Sequence, residues 1–103
     1  MTRANPHRGE ASLPVGGETL LLRPSFTALI AAEEELGSLF DLVERAAEGQ
    51  LKLQQIVALF DHLSKGRPAG ISRERIGEAV IEAGIASITP ILRLVLAQIL
   101  QGR

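Results

Sequence analysis

The chain has no cysteine, no tryptophan, no tyrosine and only three phenylalanines in 103 residues. Without cysteine there can be no disulfide and no thiolate metal site, which fits a reducing compartment and leaves packing to hold the fold. Without Trp or Tyr the core has to be aliphatic, and Leu, Ile, Val and Ala supply nearly all of the 46% apolar content. An excess of either charge is also missing. Eleven Lys and Arg stand against twelve Asp and Glu, a formal net charge of -1. Affinity for a phosphate backbone rests on clustered cations, so this balance argues against nucleic acid as the main partner. No apolar run reaches the roughly 18 residues of a membrane-spanning helix. The opening stretch, polar from Met1 to Arg8, has no apolar segment of the secretory kind. The expectation is one cytoplasmic globular domain, with neither nucleic acid nor membrane as its target.

Hydrophobic periodicity divides what is present. Residues 1–9 show none and read as a flexible arm, with residues 10–103 as a single domain. Ala11, Leu13 and Val15 alternate with Ser12 and Pro14, a strand-like period of two. Gly16-Gly17 comes next, a dipeptide suited to the positive φ of a tight hairpin turn, and Glu18 to Arg23 read as the return strand. Pro14 lacks an N–H, which predicts an edge strand. A two-stranded ribbon is marginal in water, so it must lie on the helices C-terminal to it or pair with another chain.

Five helices are predicted next. Ser25 caps the first, with Phe26, Leu29, Ile30 and Leu36 on its apolar face and Gly37 ending it. Ser38 restarts the chain with Asp41 in the first turn; Leu39, Leu42, Val43 and Ala46 point inward, and Gly49 stops that helix. The third runs from about Leu53 to Ser64, with Leu53, Ile56, Leu59, Phe60 and Leu63 inward. A loop with Gly66, Pro68 and Gly70 leads to Ser72, the cap of a fourth helix that buries Ile76, Ala79, Val80 and Ala83 and closes at Gly84. Gly77 costs this helix roughly 1 kcal/mol against Ala, or else admits a neighbouring backbone. Thr89-Pro90 reads as the cap and first residue of the last helix, because proline at the first helical position wastes no hydrogen bond. The apolar stripe of that helix, from Ile88 to Leu100, covers about half its girth and is the widest in the chain. The fold class is mainly α (α+β): an N-terminal β-hairpin followed by about five short helices.

Reactive chemistry has little to stand on. His7 lies in the arm, and His62 beside Asp61 on the third helix reads as a surface or rim residue. Gly16-Gly17 joins two strands, whereas phosphate loops need a strand, glycines and then a helix. No nucleophile–base pair or metal-ligand spacing stands out, so no enzyme activity, metal or cofactor is expected. The segment from Ile71 to Leu92 has a loose helix-turn-helix outline, with Arg73, Arg75 and Arg93 as phosphate contacts. Glu74, Glu78 and Glu82 share that surface, however, and the would-be recognition helix is almost wholly apolar. Among Glu33, Glu34 and Glu35, the first falls on the apolar stripe of its helix, seven residues after Phe26, and the other two face solvent. A carboxylate on that stripe either links to Arg23 or to backbone N–H groups, or contacts a partner. Leu21 and Leu94 lie outside the main stripes. They mark, with Glu33, the candidate partner-binding residues, since exposed apolar surface on small proteins commonly binds. The alternative for the last helix is that it is simply the central core helix.

The order of these segments resembles one family, the small tail assembly chaperones of gene transfer agents and related prophages, a group also labelled gene transfer agent tail tube protein. The resemblance is carried by Ala4-Asn5-Pro6-His7-Arg8-Gly9-Glu10 before the hairpin, the Gly16-Gly17 turn, Leu22-Arg23-Pro24-Ser25-Phe26 with Ala28-Leu29, Glu33-Glu34-Glu35-Leu36-Gly37, and Ile81-Glu82-Ala83-Gly84. It implies a role in building a phage-like tail: coating the aggregation-prone tape measure protein and helping tail tube subunits polymerise around it. Partners would then be the tape measure and tail tube proteins, with self-association possible, by laying apolar side chains against amphipathic helices. Alternatives are a structural tail component, such as a tube or connector subunit, and a small DNA-binding regulator. Tube subunits are usually larger and dominated by β-sheet, and one hairpin cannot build a tube wall.

Overall fold

A computed structural model describes residues 10–101, with side chains for residues 10–100; the predicted arm and His7 lie outside the described residues. Two strands and five helices succeed one another: β1 (Ala11–Val15), β2 (Glu18–Leu22), α1 (Phe26–Leu36), α2 (Leu39–Ala47), α3 (Leu53–Leu63), α4 (Arg73–Ala83) and α5 (Ile85–Gln101). The fold is the predicted hairpin-plus-helices domain. β1 and β2 pair antiparallel with Val15 opposite Glu18, closed by the two-residue turn, in which Gly16 takes φ 61°. A positive φ at the first turn position is what a type II′ turn demands, and glycine meets it without a Cβ clash. Period two holds: Ala11, Leu13, Val15, Leu20 and Leu22 are buried, and Ser12 and Pro14 are exposed. The buried face of the ribbon lies on α3, α4 and α5, which resolves how so small a sheet is stabilised.

Caps are where the sequence placed them in three helices. The hydroxyl oxygens of Ser25, Ser38 and Ser72 accept from the N–H groups of Ala28, Asp41 and Arg75. Each satisfies a donor that the first helical turn leaves free. Gly37 and Gly84 both take φ 85° at helix ends.

The core centres on α3, not on the last helix. Ile56, Ala58, Leu59, Phe60, Asp61 and Leu63 are all buried, so α3 is enclosed on most sides by α1, α4 and β2. α3 and α4 run antiparallel, and Gly77 faces Val57, whose methyl carbons would sit 3.8 Å from an added Cβ. α5 buries Ile88, Val95 and Leu96 and packs against α4, α2 and β1, while Leu100 stays exposed.

Two expectations are corrected. The last helix begins at Ile85, directly after Gly84, and Pro90 lies inside it, not at its first position. Gly84 ends α4 and accepts from the N–H groups of Ser87 and Ile88, so the new helix starts at once. Pro90 leaves the carbonyl of Ala86 without its usual donor, and Thr89 Oγ1 instead bonds back to Ile85 O at 2.8 Å. The second correction concerns α1, whose buried residues are Ala28 and Ala32, with Phe26 80% and Ile30 44% exposed. At 100° per residue the buried face is turned by roughly 110° from the centre of the predicted stripe. Two alanines let α1 approach α3 closely, and that contact outweighs the larger side chains.

Candidate partner-binding surfaces

The rotation of α1 decides which of its three glutamates meets other elements. Glu33 is exposed, away from the centre of a buried stripe; its Oε2 accepts from Leu39 N at 3.2 Å and so caps α2. Of the structural links open to it, this is the backbone one; Arg23 pairs with Glu10 at 3.2 Å instead. Glu35, expected to face only solvent, is the residue that ties the helices together. Its two oxygens accept from Arg73 at 2.7 and 2.8 Å, and Oε1 also lies 2.7 Å from His62 Nε2.

Arg73, at the start of α4, also donates to Asp61 Oδ2 from Nε and Nη2 at 3.2 and 2.9 Å. Asp61 is 4% exposed and is further paired with Arg67 and, more distantly, with Lys65. Arg67 donates to the carbonyl oxygens of Asp61, Ser64 and Ile71, which pins the α3–α4 loop. Arg73 holds the Glu35 carboxyl down at about 2, first through its hydrogen bonds, helped by His62 and opposed by partial desolvation. For Asp61, burial opposes ionisation, yet Arg73's hydrogen bond and the charges of Arg67, Lys65 and Arg73 outweigh it and hold the carboxyl below its ordinary value. The guanidinium of Arg73 is held more firmly protonated by the same two carboxylates. This is a closed structural clamp of α1, α3 and α4. Each acid of the clamp is answered by a base. Among the described residues no group of three or more His, Cys, Asp or Glu could hold a metal ion.

Sequence reasoning missed this clamp. Its local signal is Asp61-His62, a polar pair set between Phe60 and Leu63 in the otherwise apolar second half of α3; its partners Glu35, Arg67 and Arg73 come from outside that helix.

The surface offers two kinds of binding feature. One is exposed apolar side chains: Phe26 and Ile30 one turn apart on α1, Phe40 on α2, and Leu53, Ile81 and Ile85. The antiparallel alignment that sets Asp61 beside Arg73 and Val57 beside Gly77 brings the Leu53 end of α3 to the Ile81 end of α4. The other is an open cleft of about 790 Å³ between β2 and the α3–α4 loop. Leu21, half-buried, lines that cleft together with Thr19, Arg23, His62 and Lys65. His62 is therefore a rim residue, and its Nδ1 is buried without a hydrogen-bond partner among the described residues. Leu94 is half-buried and packs against the core. The structure thus does not bring Leu21, Glu33 and Leu94 into one site: they lie on the cleft, at the α1–α2 junction and on α5.

No single helix among the described residues is long and apolar enough to cross a membrane; α4 and α5 pass such a test only together, and they bend by 119° at their junction. No curated protein and no solved structure matches the chain. Residues 8–102 match the family described as phage tail tube protein, GTA-gp10. That match spans the hairpin, the clamp and all five helices, and the chain belongs to this family of phage tail proteins.

Proposed function

We propose that this protein is a non-enzymatic structural component of a phage-like tail of the gene transfer agent type, acting through contacts with other tail proteins. The observation that carries this reading is the family match over residues 8–102, whose description names the tail tube. Supporting it, the buried carboxylates are held in ion pairs, Asp61 in the clamp and Glu10 with Arg23, and apolar side chains such as Phe26, Phe40 and Ile81 stand in solvent where a neighbouring subunit could cover them. Exposed apolar clusters on small domains are a mark of protein contact.

A second reading, the tail assembly chaperone, is favoured by the sheet itself. Two strands with no third neighbour among the described residues are too few to close a barrel-like wall alone, and the same exposed side chains would suit amphipathic helices of a tape measure protein. The two readings part on one experiment. Particles are purified and the chain is quantified by mass spectrometry, while the tape measure protein is co-expressed with it and tested for capture. Stoichiometric presence in finished particles supports the structural role. Absence from particles together with a soluble complex with the tape measure overturns it in favour of the chaperone. Absence from both defeats the two readings alike.

A further inference from the structure

We propose that the outer edge of β2 accepts an extended acidic segment of a partner protein as an added third strand. A two-residue turn makes Val15 and Glu18 a hydrogen-bonded pair, so residues 18, 20 and 22 turn their backbone groups towards β1. Residues 19, 21 and 23 turn theirs outward. The outward N–H of Arg23 is already in use, donating to Leu63 O at 2.8 Å. That bond joins β2 to the end of α3; from there towards Gly17 the strand and the Ser64–Pro68 loop bound the cleft. Within it, the N–H and C=O groups of Thr19 and Leu21 have no hydrogen-bond partner among the described residues.

The opposite edge is closed to such pairing. Pro14 stands directly across from Thr19, in an outward-facing site. Its missing N–H costs the ladder nothing and interrupts the outer row of β1. β2 therefore carries the regular row of donors and acceptors, and main-chain pairing of this kind is how extended peptides add to a sheet. Charge selects the occupant. Arg23 and Lys65 line the cleft with their side chains 60% and 59% exposed. Each keeps that exposure while also pairing within the fold, Arg23 with Glu10 and Lys65 with Asp61, whereas Arg67 is spent on Asp61 and the loop carbonyls; Glu18 is the single carboxylate among the lining residues.

The inference goes beyond the tail reading and fails separately from it, because its test uses the isolated full-length chain. The ¹⁵N-labelled protein is titrated with the blocked heptapeptide SEVTVES and with its basic counterpart SKVTVKS. SEVTVES is expected to move the Thr19 and Leu21 amides saturably and to slow their hydrogen exchange, with SKVTVKS at least tenfold weaker. Thr19→Pro deletes an outward donor without touching the ladder and is expected to weaken SEVTVES at least tenfold. Ser12→Pro, on the other edge, leaves binding unchanged. Should Thr19→Pro fail to fold, N-methylation of the peptide decides. Methyl groups on one set of alternate residues must abolish binding, and those on the other set must not. Undisturbed Thr19 and Leu21 amides, equal binding of SKVTVKS, or indifference to both methylation patterns would overturn the proposal. So would a peptide-free dimer that disappears in Thr19→Pro, since the occupant would then be a second copy.

Discussion

Replacing Asp61 with Asn tests the clamp that joins α1, α3 and α4. The Asp61 side chain is 6% exposed and faces Arg67, itself 15% exposed, as well as Arg73. Removing one charge of a buried pair leaves the other desolvated and costs about 3–5 kcal/mol. Arg67 keeps its bonds to three carbonyl oxygens, which places the cost at the low end, about 3 kcal/mol, a large share of the ~5–15 kcal/mol total of a natural domain. In thermal terms that is a fall of ~12–24 °C for a chain of this length. The loss has a defined pH dependence. The Asp61 carboxyl sits below its ordinary 3.8 in the folded state, so the folded protein binds its proton less readily than the unfolded chain. Its contribution is complete above the unfolded value and is lost as pH falls through the folded one. Glu35, lowered from 4.5 to about 2 by Arg73 and then His62, has the same sign over that window. Urea unfolding of wild type and Asp61→Asn at pH 6 is expected to differ by about 3 kcal/mol, and the gap is expected to narrow as pH falls below 3.8 towards pH 2, because the advantage of the ionised aspartate over asparagine is lost in that direction. A variant within about 0.5 kcal/mol of wild type at pH 6, the usual range for inert surface changes, would refute the reasoning. A gap that stays constant down to pH 2 would refute it too.

Other substitutions probe the remaining elements. Gly16→Ala places a Cβ at φ 61°, 3.0 Å from Arg75 Nη2, and is expected to cost about 1–2 kcal/mol in denaturant titration, mostly from the left-handed backbone. Leu94→Asp pushes a charge against the core and is expected to destabilise by more than ~2 kcal/mol. Phe26→Asp, at an 80% exposed site, should stay within about 0.5 kcal/mol of wild type while weakening contacts with tail proteins in pull-downs. Pro90→Ala restores a donor to the carbonyl of Ala86 and is expected to raise the unfolding midpoint, by an amount equivalent to about 1 kcal/mol or more.

Much of the fold was legible because its signals are local. Alternation in Ala11–Val15, the Gly16-Gly17 turn and the three serine caps each depend on a few neighbouring residues, and each recurs in the structure. The misreadings came where tertiary contact overrode local preference. Thr89-Pro90 has the chemistry of a helix start, but Gly84 had already turned the chain and opened α5 five residues earlier. Phe26 and Ile30 looked like core by size, yet the small Ala28 and Ala32 give the closer helix approach. That choice also moved Glu33 to the surface and Glu35 into the clamp. The contacts of the clamp that join one helix to another link residues 12 to 38 positions apart, and no spacing rule reaches that far. For the surfaces, Leu21 stood out in the sequence only as lying outside the main stripes; the cleft it lines and the backbone row it belongs to become visible only with the strand register in hand.

Pro14 has a consequence for how copies of this chain can assemble. Endless stacking of sheets requires every molecule to offer one adhesive border and receive on the opposite one. Here one border is sealed by an imino acid. Growth by ribbon-to-ribbon addition would therefore halt after a single step, so a long polymer of this chain cannot rest on ribbon pairing between its copies alone.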